Sequence, residues 1–568
     1  MNPQTVHSTS STQKGSRFHI RFARNGATSA PLSRLIAPSQ ITHWDASIIE
    51  VVPTRFFKRS TPKLFRGALF HSLILNPAVY IFACLSGNSP HAFTLQESQY
   101  EPPNPTSEAT LHYSHHAERF LPTSGRARGD SRSCNTSDPT TVRVKGGEMT
   151  SDRHDQAQLT LGKQALAFLL AFVVLVARRP DAVLHPQFWA EDGRIFYADA
   201  YNFGGWSSFF HSYAGYLHAV PRFGAALALL VPLSLAPLVM NVIALAIQAI
   251  PVNLLLSFRS SAWGSLRFRA ALAGMYLVLP NCWELSAIIS NSQWVLALCA
   301  FLVLVARPTE MRVWRLLDVS ILLFCGLSGP FCIVLLPVAV IIALKRKERA
   351  RILYAGLLGA CCLVQGWELM GTGISNRSHY ILGASPALFV RILAGQVYLG
   401  ALLGSNGLAA GQGLSIFLAC VAVGGTALIA LCFVVSGLEM RLFLFLAVVL
   451  LFVSLISPAT WPPPGVTAWQ QMSAGAGIRY WFFPNLAFAW SILSCDRSIK
   501  PALRVASFCL SVLMLGGILR DFQHVPFIDL NFRQYAQRFE SSPIGTKVTI
   551  PLNPPSWEMD LVKHRRTP

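Results

Sequence analysis

The sequence predicts an all-α polytopic membrane protein of about 11–13 transmembrane helices, with a disordered N-terminal arm and a small C-terminal external tail. Three observations carry that prediction. Hydrophobic residues make up 52% of the chain and charged ones only 13%, with a mean hydropathy of +0.42, whereas a soluble domain carries about 25% charged residues. Apolar runs of roughly 14 to 26 residues recur from residue 164 to 519, separated by short polar joints, whereas a membrane β-barrel would show alternating ten-residue segments. In hydrocarbon each backbone N–H and C=O must find its partner inside the segment, which a helix provides and an open strand does not.

Residues 1–160 differ from the rest. They are rich in Ser, Thr, Pro, Arg and His without a sustained period, so they cannot bury enough apolar surface to offset the entropy of ordering. One apolar patch, Gly67 to Leu85, is broken by His71 and Pro77 and is at best an extra span or a signal sequence. The alternative reading of this arm is a mis-called extension, with translation starting at Met149.

Helices are expected near residues 164–177, 218–235, 237–256, 269–288, 291–306, 315–328, 330–344, 351–370, 413–436, 441–457, 480–494 and 501–519, within a membrane domain spanning 161–519. Long external loops are expected near 178–217 and 371–412, the second containing Asn376 to Tyr380 and a soft run, Phe389 to Gly404, that suits an interfacial or re-entrant helix. Residues 520–568 form the tail, with a strand-like Lys547-Val-Thr-Ile550 and a Pro-rich continuation.

Basic joints hold loops on the cytoplasmic side. Lys345 to Arg351 is the strongest such anchor, supported by Arg307 to Arg315, Glu439 to Arg441 and Asp496 to Arg504. Counting forward from a cytoplasmic N-terminus puts the loop near residue 190 outside, whereas counting backward from Arg307 puts it inside if 218–256 crosses twice. Pro221, Pro232, Pro237 and Pro251 make one incomplete crossing there the simplest resolution.

The net charge of +20 is scattered over the arm, the joints and the tail with no aromatic-interleaved basic platform, which argues against nucleic acid. Of 12 Cys, ten lie in or beside apolar segments without CxxC spacing and read as small packing residues. No Walker A loop, Rossmann fingerprint, Gly-x-Ser-x-Gly elbow or His-Glu-x-x-His is present, so nucleotide-driven transport and hydrolase chemistry lose support.

Chemistry is expected first in the loop that begins Trp189-Ala-Glu-Asp-Gly-Arg194 and continues through Asp199, His211, Tyr213 and His218 to Arg222. A carboxylate at the bilayer rim is costly to desolvate, and Glu191 or Asp192 can act as a general base or help to hold a divalent cation. The bland alternative is an ion pair of Glu191 with Arg194 that caps helix ends. A second candidate is Arg479-Tyr480 at the start of a late apolar helix, where a guanidinium can grip a lipid phosphate or simply snorkel. A third is Pro280 to Glu284 with Ser290 to Trp294, polar clusters that can bond sugar hydroxyls or glue helices together. Gly326 to Phe331 reads as a helix break, which at membrane depth can line a cavity.

With its acidic motif Glu191-Asp192 in the first external loop, the following Tyr213 to Arg222, and Arg479-Tyr480 near a late helix, the chain resembles the GT-C class of polytopic glycosyltransferases. The resemblance covers roughly residues 160–560 as architecture. It implies sugar transfer with inversion from a polyprenyl-phosphate-linked donor to an envelope glycan, lipid or protein acceptor on the external face, in a bacterial inner (plasma) membrane. It implies further that Asp192 or Glu191 deprotonates the acceptor, that Arg479 and Arg222 hold the lipid phosphate, and that Trp189, Tyr213, Tyr480 and His218 line the substrate site. A divalent cation is the one cofactor it leaves open. The competing reading is a transporter or flippase of lipid-linked or anionic substrates, in which the same carboxylates bind protons or cations. Internal repeats would favour that reading, and none is visible in the sequence.

Overall fold

The computed structural model describes residues 159–373, 380–405, 415–496 and 500–564, all within one compact unit. The expectations for the N-terminal arm, Gly67 to Leu85, Met149 and Asn376 to His379 lie outside the described residues. The chain is an all-α polytopic membrane protein. Its helices are α1 (Leu161–Arg178), α2 (Ala219–Ala228), α3 (Ala236–Leu256), α4 (Leu266–Val278), α5 (Ser292–Val305), α6 (Arg312–Gly326), α7 (Phe331–Arg346) and α8 (Arg349–Glu368), followed by α9 (Pro386–Leu403), α10 (Ser415–Val435), α11 (Leu438–Ile456), α12 (Phe482–Cys495), α13 (Pro501–Asp521) and α14 (Phe532–Ser541).

Among the described residues, 7 helices are long and apolar enough to cross a membrane: α1, α3 with its leading turn, α8, α9, α10, α11 and α13. The remaining apolar helices α4, α5, α6, α7 and α12 have 13 to 16 residues and pack among the longer ones. Every residue of helix α5 except Gln293 is buried, so it meets protein rather than lipid.

Hydrogen bonds sort the helix ends into two groups. At the basic end, Arg259 Nε donates to the Arg307 carbonyl (2.8 Å), Arg346 to Val305 (3.1 Å) and Arg351 to Ala306 (2.7 Å), while Arg346 pairs with Glu439. These contacts gather the joints after α3, α5, α7 and before α11. At the opposite end, Asp192 meets Ile289 and Ser290, His218 bridges to Ser328, Glu284 meets Arg479, and Asp521 meets Asn281 and Ser405.

Helix α2 has 10 residues, about 15 Å of length against a hydrocarbon core of about 30 Å. It stays at the opposite end, and α3, with Pro251 inside it, makes the single crossing within 218–256. That is the incomplete crossing the basic joints require. Helix α9 has the composition of a span, yet the carbonyls of Ile381 and Leu382 before it accept from Ala468 and Trp469, and Ser405 after it donates to Asp521. Both of its ends return to the same end of the bundle, as a re-entrant helix does.

The tail closes over this end. Strands β1 (Lys547–Leu552) and β2 (Trp557–Val562) pair antiparallel from Lys547 with Val562 to Leu552 with Trp557. Ile550, Leu552, Met559 and Leu561 join Phe532 and Phe539 of α14 in the buried core with Phe188, Phe196 and Tyr197 of the first loop. A Cβ on Gly193 would stand 2.8 Å from Leu552 Cδ1 and 3.0 Å from Phe188 Cβ. The absent side chain lets the hairpin pack closely on the acidic loop, and a larger residue would have to displace the Leu552 methyls.

Candidate functional site

A cavity of about 270 Å³ opens at the end opposite the basic joints. Glu191, Tyr213 and His218 reach it from the first loop, and Arg479 and Tyr480 from the turn before α12. Residues from two regions far apart in sequence therefore meet in one space, although Asp192, Arg222 and Trp189 do not line it.

The loop reaches the cavity through a π-helical turn, Asp192–Tyr197, a wide turn of the kind that recurs at functional sites. Glu191 precedes that turn and is partly exposed. Asp192 points the other way and is 2% exposed, with Oδ2 accepting from Ile289 N (3.1 Å) and Oδ1 from Ser290 N (2.9 Å). Burial pushes its carboxyl up to about 7, against the Ser290 hydroxyl and those two N–H donors, which favour the ionised form. The contact anchors the acidic loop to the turn that leads into α5.

Arg222 is also committed. Its guanidinium is 1% exposed, pairs with Asp199 at 2.7 Å, donates to the His211 carbonyl at 3.2 Å and lies over the Phe196 ring at 5.1 Å. Phe196 presents to the cavity, so Arg222 stands behind the wall and stiffens it. Trp189 faces away, stacked on Phe527 with centroids 5.1 Å apart.

His218 is 3% exposed and sits among Phe196, Tyr213 and Tyr216. Its Nε2 lies 3.2 Å from the Tyr213 carbonyl, an acceptor, so Nε2 carries the proton and Nδ1 keeps its lone pair. Burial, reinforced by the Arg222 charge, lowers its pKa to about 3, which keeps the imidazole neutral. Burial and the Glu191 charge push the Tyr213 phenol upward, keeping it protonated.

Arg479 is held from several sides. Its backbone N and Nη1 donate to Glu284 Oε2 at 3.2 and 3.1 Å, Nη2 donates to the Ala459 carbonyl at 2.9 Å, and the guanidinium lies 4.9 Å from the Tyr480 ring centroid. The turn that presents it starts at Gly477 with φ +70°, where a Cβ would stand 2.7 Å from the Tyr480 ring. Only glycine adopts that conformation against that ring without strain.

The two polar clusters around α5 join the same site. Asn291, Gln293 and Trp294 line the cavity, and Glu284 orients Arg479. Among the described residues, Gln293 Oε1 and His218 Nδ1 are buried without a hydrogen-bond partner, and both residues line this cavity. Buried polar atoms are nearly always bonded, so the cavity holds unspent capacity for hydroxyl or amide groups of a ligand. The helix break before α7 contributes Pro330 and Phe331.

The other wall is apolar. Ile333 and Val334 of α7 face Leu450 and Val453 of α11, and Ile333 and Val453 are 43% and 44% exposed, so the groove between these helices leads to the outer surface of the bundle. Sequence reasoning did not single out these four residues, because lipid-facing and groove-facing apolar positions look alike on a helix. Among the described residues, no group of three or more His, Cys, Asp or Glu stands arranged to hold a metal ion.

No family model matches the chain, and no curated protein matches it. Among solved structures, the arabinofuranosyltransferase AftD from mycobacteria is similar at 17% identity over 65% of this chain and 27% of that protein, with a TM-score of 0.34. The matched part of the chain thus corresponds to about a quarter of that protein's length. A likeness of that extent assigns neither a fold family nor an activity to this chain.

Proposed function

We propose that this protein is a GT-C-like membrane glycosyltransferase that moves a sugar from a polyprenyl-phosphate-linked donor to an envelope glycan, lipid or protein acceptor at the external face of a bacterial inner membrane. The observation that carries the reading is one cavity in which a carboxylate, a held guanidinium and unpartnered polar atoms meet an apolar groove that opens on the bundle surface. Such a site matches a ligand that is sugar and phosphate at one end and hydrocarbon at the other. Its position opposite the basic joints corresponds to the external side by the positive-inside rule.

In this mechanism Glu191 takes the proton of the acceptor hydroxyl as its oxygen bonds to the anomeric carbon. The bond from that carbon to the phosphate oxygen breaks, and polyprenyl phosphate departs with the electron pair. Attack opposite the leaving group inverts the centre. Arg479, aligned by Glu284 and Tyr480, offers charge to the phosphate as its negative charge grows. His218 Nδ1 and Gln293 Oε1 accept from hydroxyls of the transferred sugar, and the prenyl chain lies between α7 and α11. Asp192 and Arg222 act by positioning the loop that carries Glu191.

The test is to compare envelope glycans and lipid-linked sugars in cells with and without the gene. Loss of one glycosyl residue together with accumulation of one polyprenyl-phosphate sugar is expected. Unchanged profiles of both would overturn the proposal.

A further inference from the structure

A second cavity, of about 610 Å³, lies on the other side of the acidic loop, where the first loop, the turn before α5 and the segment after α13 meet. Trp189 lines it, while Glu191, two residues on, lines the first cavity. Its charged lining residues are Arg179, Arg520 and Asp521. The Asp521 carboxylate is already satisfied, with Oδ2 accepting from Asn281 N (3.0 Å) and Ser405 N (2.7 Å) and Oδ1 from Ser405 Oγ (3.0 Å).

Of the two cations, Arg179 lies over the Phe527 ring at 3.9 Å yet keeps part of its hydrogen-bonding edge unused. Arg179 is 1% exposed, and among the described residues its hydrogen bonds both leave from Nη1, to the carbonyls of Trp283 (3.4 Å) and Ser286 (3.2 Å). Its Nε is buried without a hydrogen bond, with Asp181 Oδ2 at 3.8 Å, and that oxygen also accepts from Phe527 N at 3.1 Å. Arg520, at the end of α13, is exposed. Burial lowers the Arg179 pKa only to about 10, so the guanidinium stays charged at neutral pH. With Asp181 beside Arg179 and Asp521 on the wall, the acids match the two cations in number, and what the cavity offers a ligand is the exposed Arg520 guanidinium and the unbonded edge of Arg179.

Its walls are aromatic and ring-bearing. Trp189, Trp283 and Phe527 form one cluster, with Trp189 stacked on Phe527 and edge-on to Trp283, and Pro526, Pro554 and Pro555 complete the lining. Flat apolar faces beside a buried guanidinium suit a sugar ring bearing an acidic group, and the volume is that of a small-molecule site.

We infer that this second cavity binds a saccharide carrying a carboxylate or phosphate, with the acid at Arg179 and Arg520 and a ring against Trp189. Its role as the pocket for the acceptor, next to Glu191, rests on the transferase reading above. Binding itself does not.

The experiment measures binding to purified full-length protein in phosphatidylcholine nanodiscs by saturation-transfer NMR. The probes are a glucuronate-containing disaccharide, a disaccharide 6-phosphate, the corresponding neutral disaccharide and inorganic phosphate. Both acidic disaccharides are expected to bind at least about tenfold more tightly than the neutral one. Arg520→Gln, an exposed site that leaves the fold untouched, and Arg179→Gln should each weaken binding by about that factor, while Glu191→Gln should leave it unchanged. Equal binding of the neutral disaccharide, or full binding by Arg520→Gln in folded protein, would overturn the inference. Inorganic phosphate binding as tightly as the disaccharides would overturn the saccharide assignment. Displacement of the acidic disaccharides by phosphatidylglycerol nanodiscs would assign the cavity to lipid headgroups instead and equally overturn it. Probe binding by a protein whose loss from cells leaves both the envelope glycans and the lipid-linked sugars unchanged would sink the transferase reading alone.

Discussion

Substituting the two adjacent carboxylates should separate two different jobs. Glu191→Gln keeps the shape of the side chain and removes its capacity to take a proton. Loss of a positioned general base typically costs about 10²–10⁴ in rate, which is about 3–5.5 kcal/mol at about 1.36 kcal/mol per tenfold. Since Glu191 is partly exposed in a cavity and not part of the packed core, expression and melting temperature should not move. Asp192→Asn does something else. The amide keeps one oxygen for the Ile289 or Ser290 N–H and turns an NH₂ group against the other, which leaves a buried donor unmet at a cost of about 1–3 kcal/mol. The cost stays in that range because burial already pushes the Asp192 carboxyl up to about 7, so a neutral group is not foreign to the site at neutral pH. The assay is restoration of the envelope glycan in cells lacking the gene, normalised to folded protein from fluorescence-detected gel filtration and melting curves. Glu191→Gln should be folded and inactive; Asp192→Asn should melt lower and retain activity within about tenfold per folded molecule. A fully active Glu191→Gln would refute the assignment of the base. A stable but inactive Asp192→Asn beside an active Glu191→Gln would transfer the role to Asp192.

Arg479→Lys, which removes the planar fork while keeping the charge, should lower transfer by at least about tenfold, and Glu284→Gln should have a smaller effect of the same kind; activity assays in membranes check both. His218, with its pKa lowered to about 3 from about 6.5 when unfolded, contributes stability that is complete above about pH 6.5 and is lost as pH falls, by about 2 kcal/mol at pH 5. Melting curves at pH 7 and pH 5 should accordingly show a smaller acid-induced drop for His218→Asn than for the wild type, and equal drops would refute the neutral imidazole. Trp206, 83% exposed in the first loop, should react as Trp206→Cys with a membrane-impermeant maleimide added outside intact cells, whereas Lys347→Cys at the basic end should not. Gly193→Val should weaken tail docking by about 1–3 kcal/mol through overpacking against Leu552, with Leu552→Ala restoring it in a double variant; limited proteolysis of the tail reads the effect.

The fold was largely legible because lipid imposes a strong pattern. Apolar runs separated by basic joints anticipated α1, α3, α8, α10, α11 and α13 with ends near those observed. Proline density in 218–256 pointed to a break, and the structure puts it between α2 and α3. Helix length was less legible where an apolar run continues past the helix end: 218–235 was expected where α2 stops at Ala228, and 269–288 where α4 stops at Val278 before the polar cluster that packs at the site. In the site, the Glu191 and Arg479 regions stood out as charges at span ends, and the polar clusters around α5 as amides beside an apolar helix. What one dimension could not reveal was which of two neighbouring carboxylates faces the cavity. Asp192 is turned away by two backbone N–H groups nearly a hundred residues distant. The same holds for Arg222, whose partner Asp199 becomes apparent only once the π-helical turn is folded. The groove between α7 and α11 and the second cavity are likewise products of packing between distant segments.

The most direct test of the central claim uses a photoreactive polyprenyl-phosphate sugar crosslinked to the full-length protein in membranes, with labelled peptides mapped by mass spectrometry. Label is predicted on α7 at Ile333 and Val334 and on α11 at Leu450 and Val453, and it should be competed by unmodified polyprenyl phosphate. Label confined to the outward faces of α1 and α13, or spread evenly over all lipid-facing helices, would contradict a donor site that joins Glu191 and Arg479 to that groove.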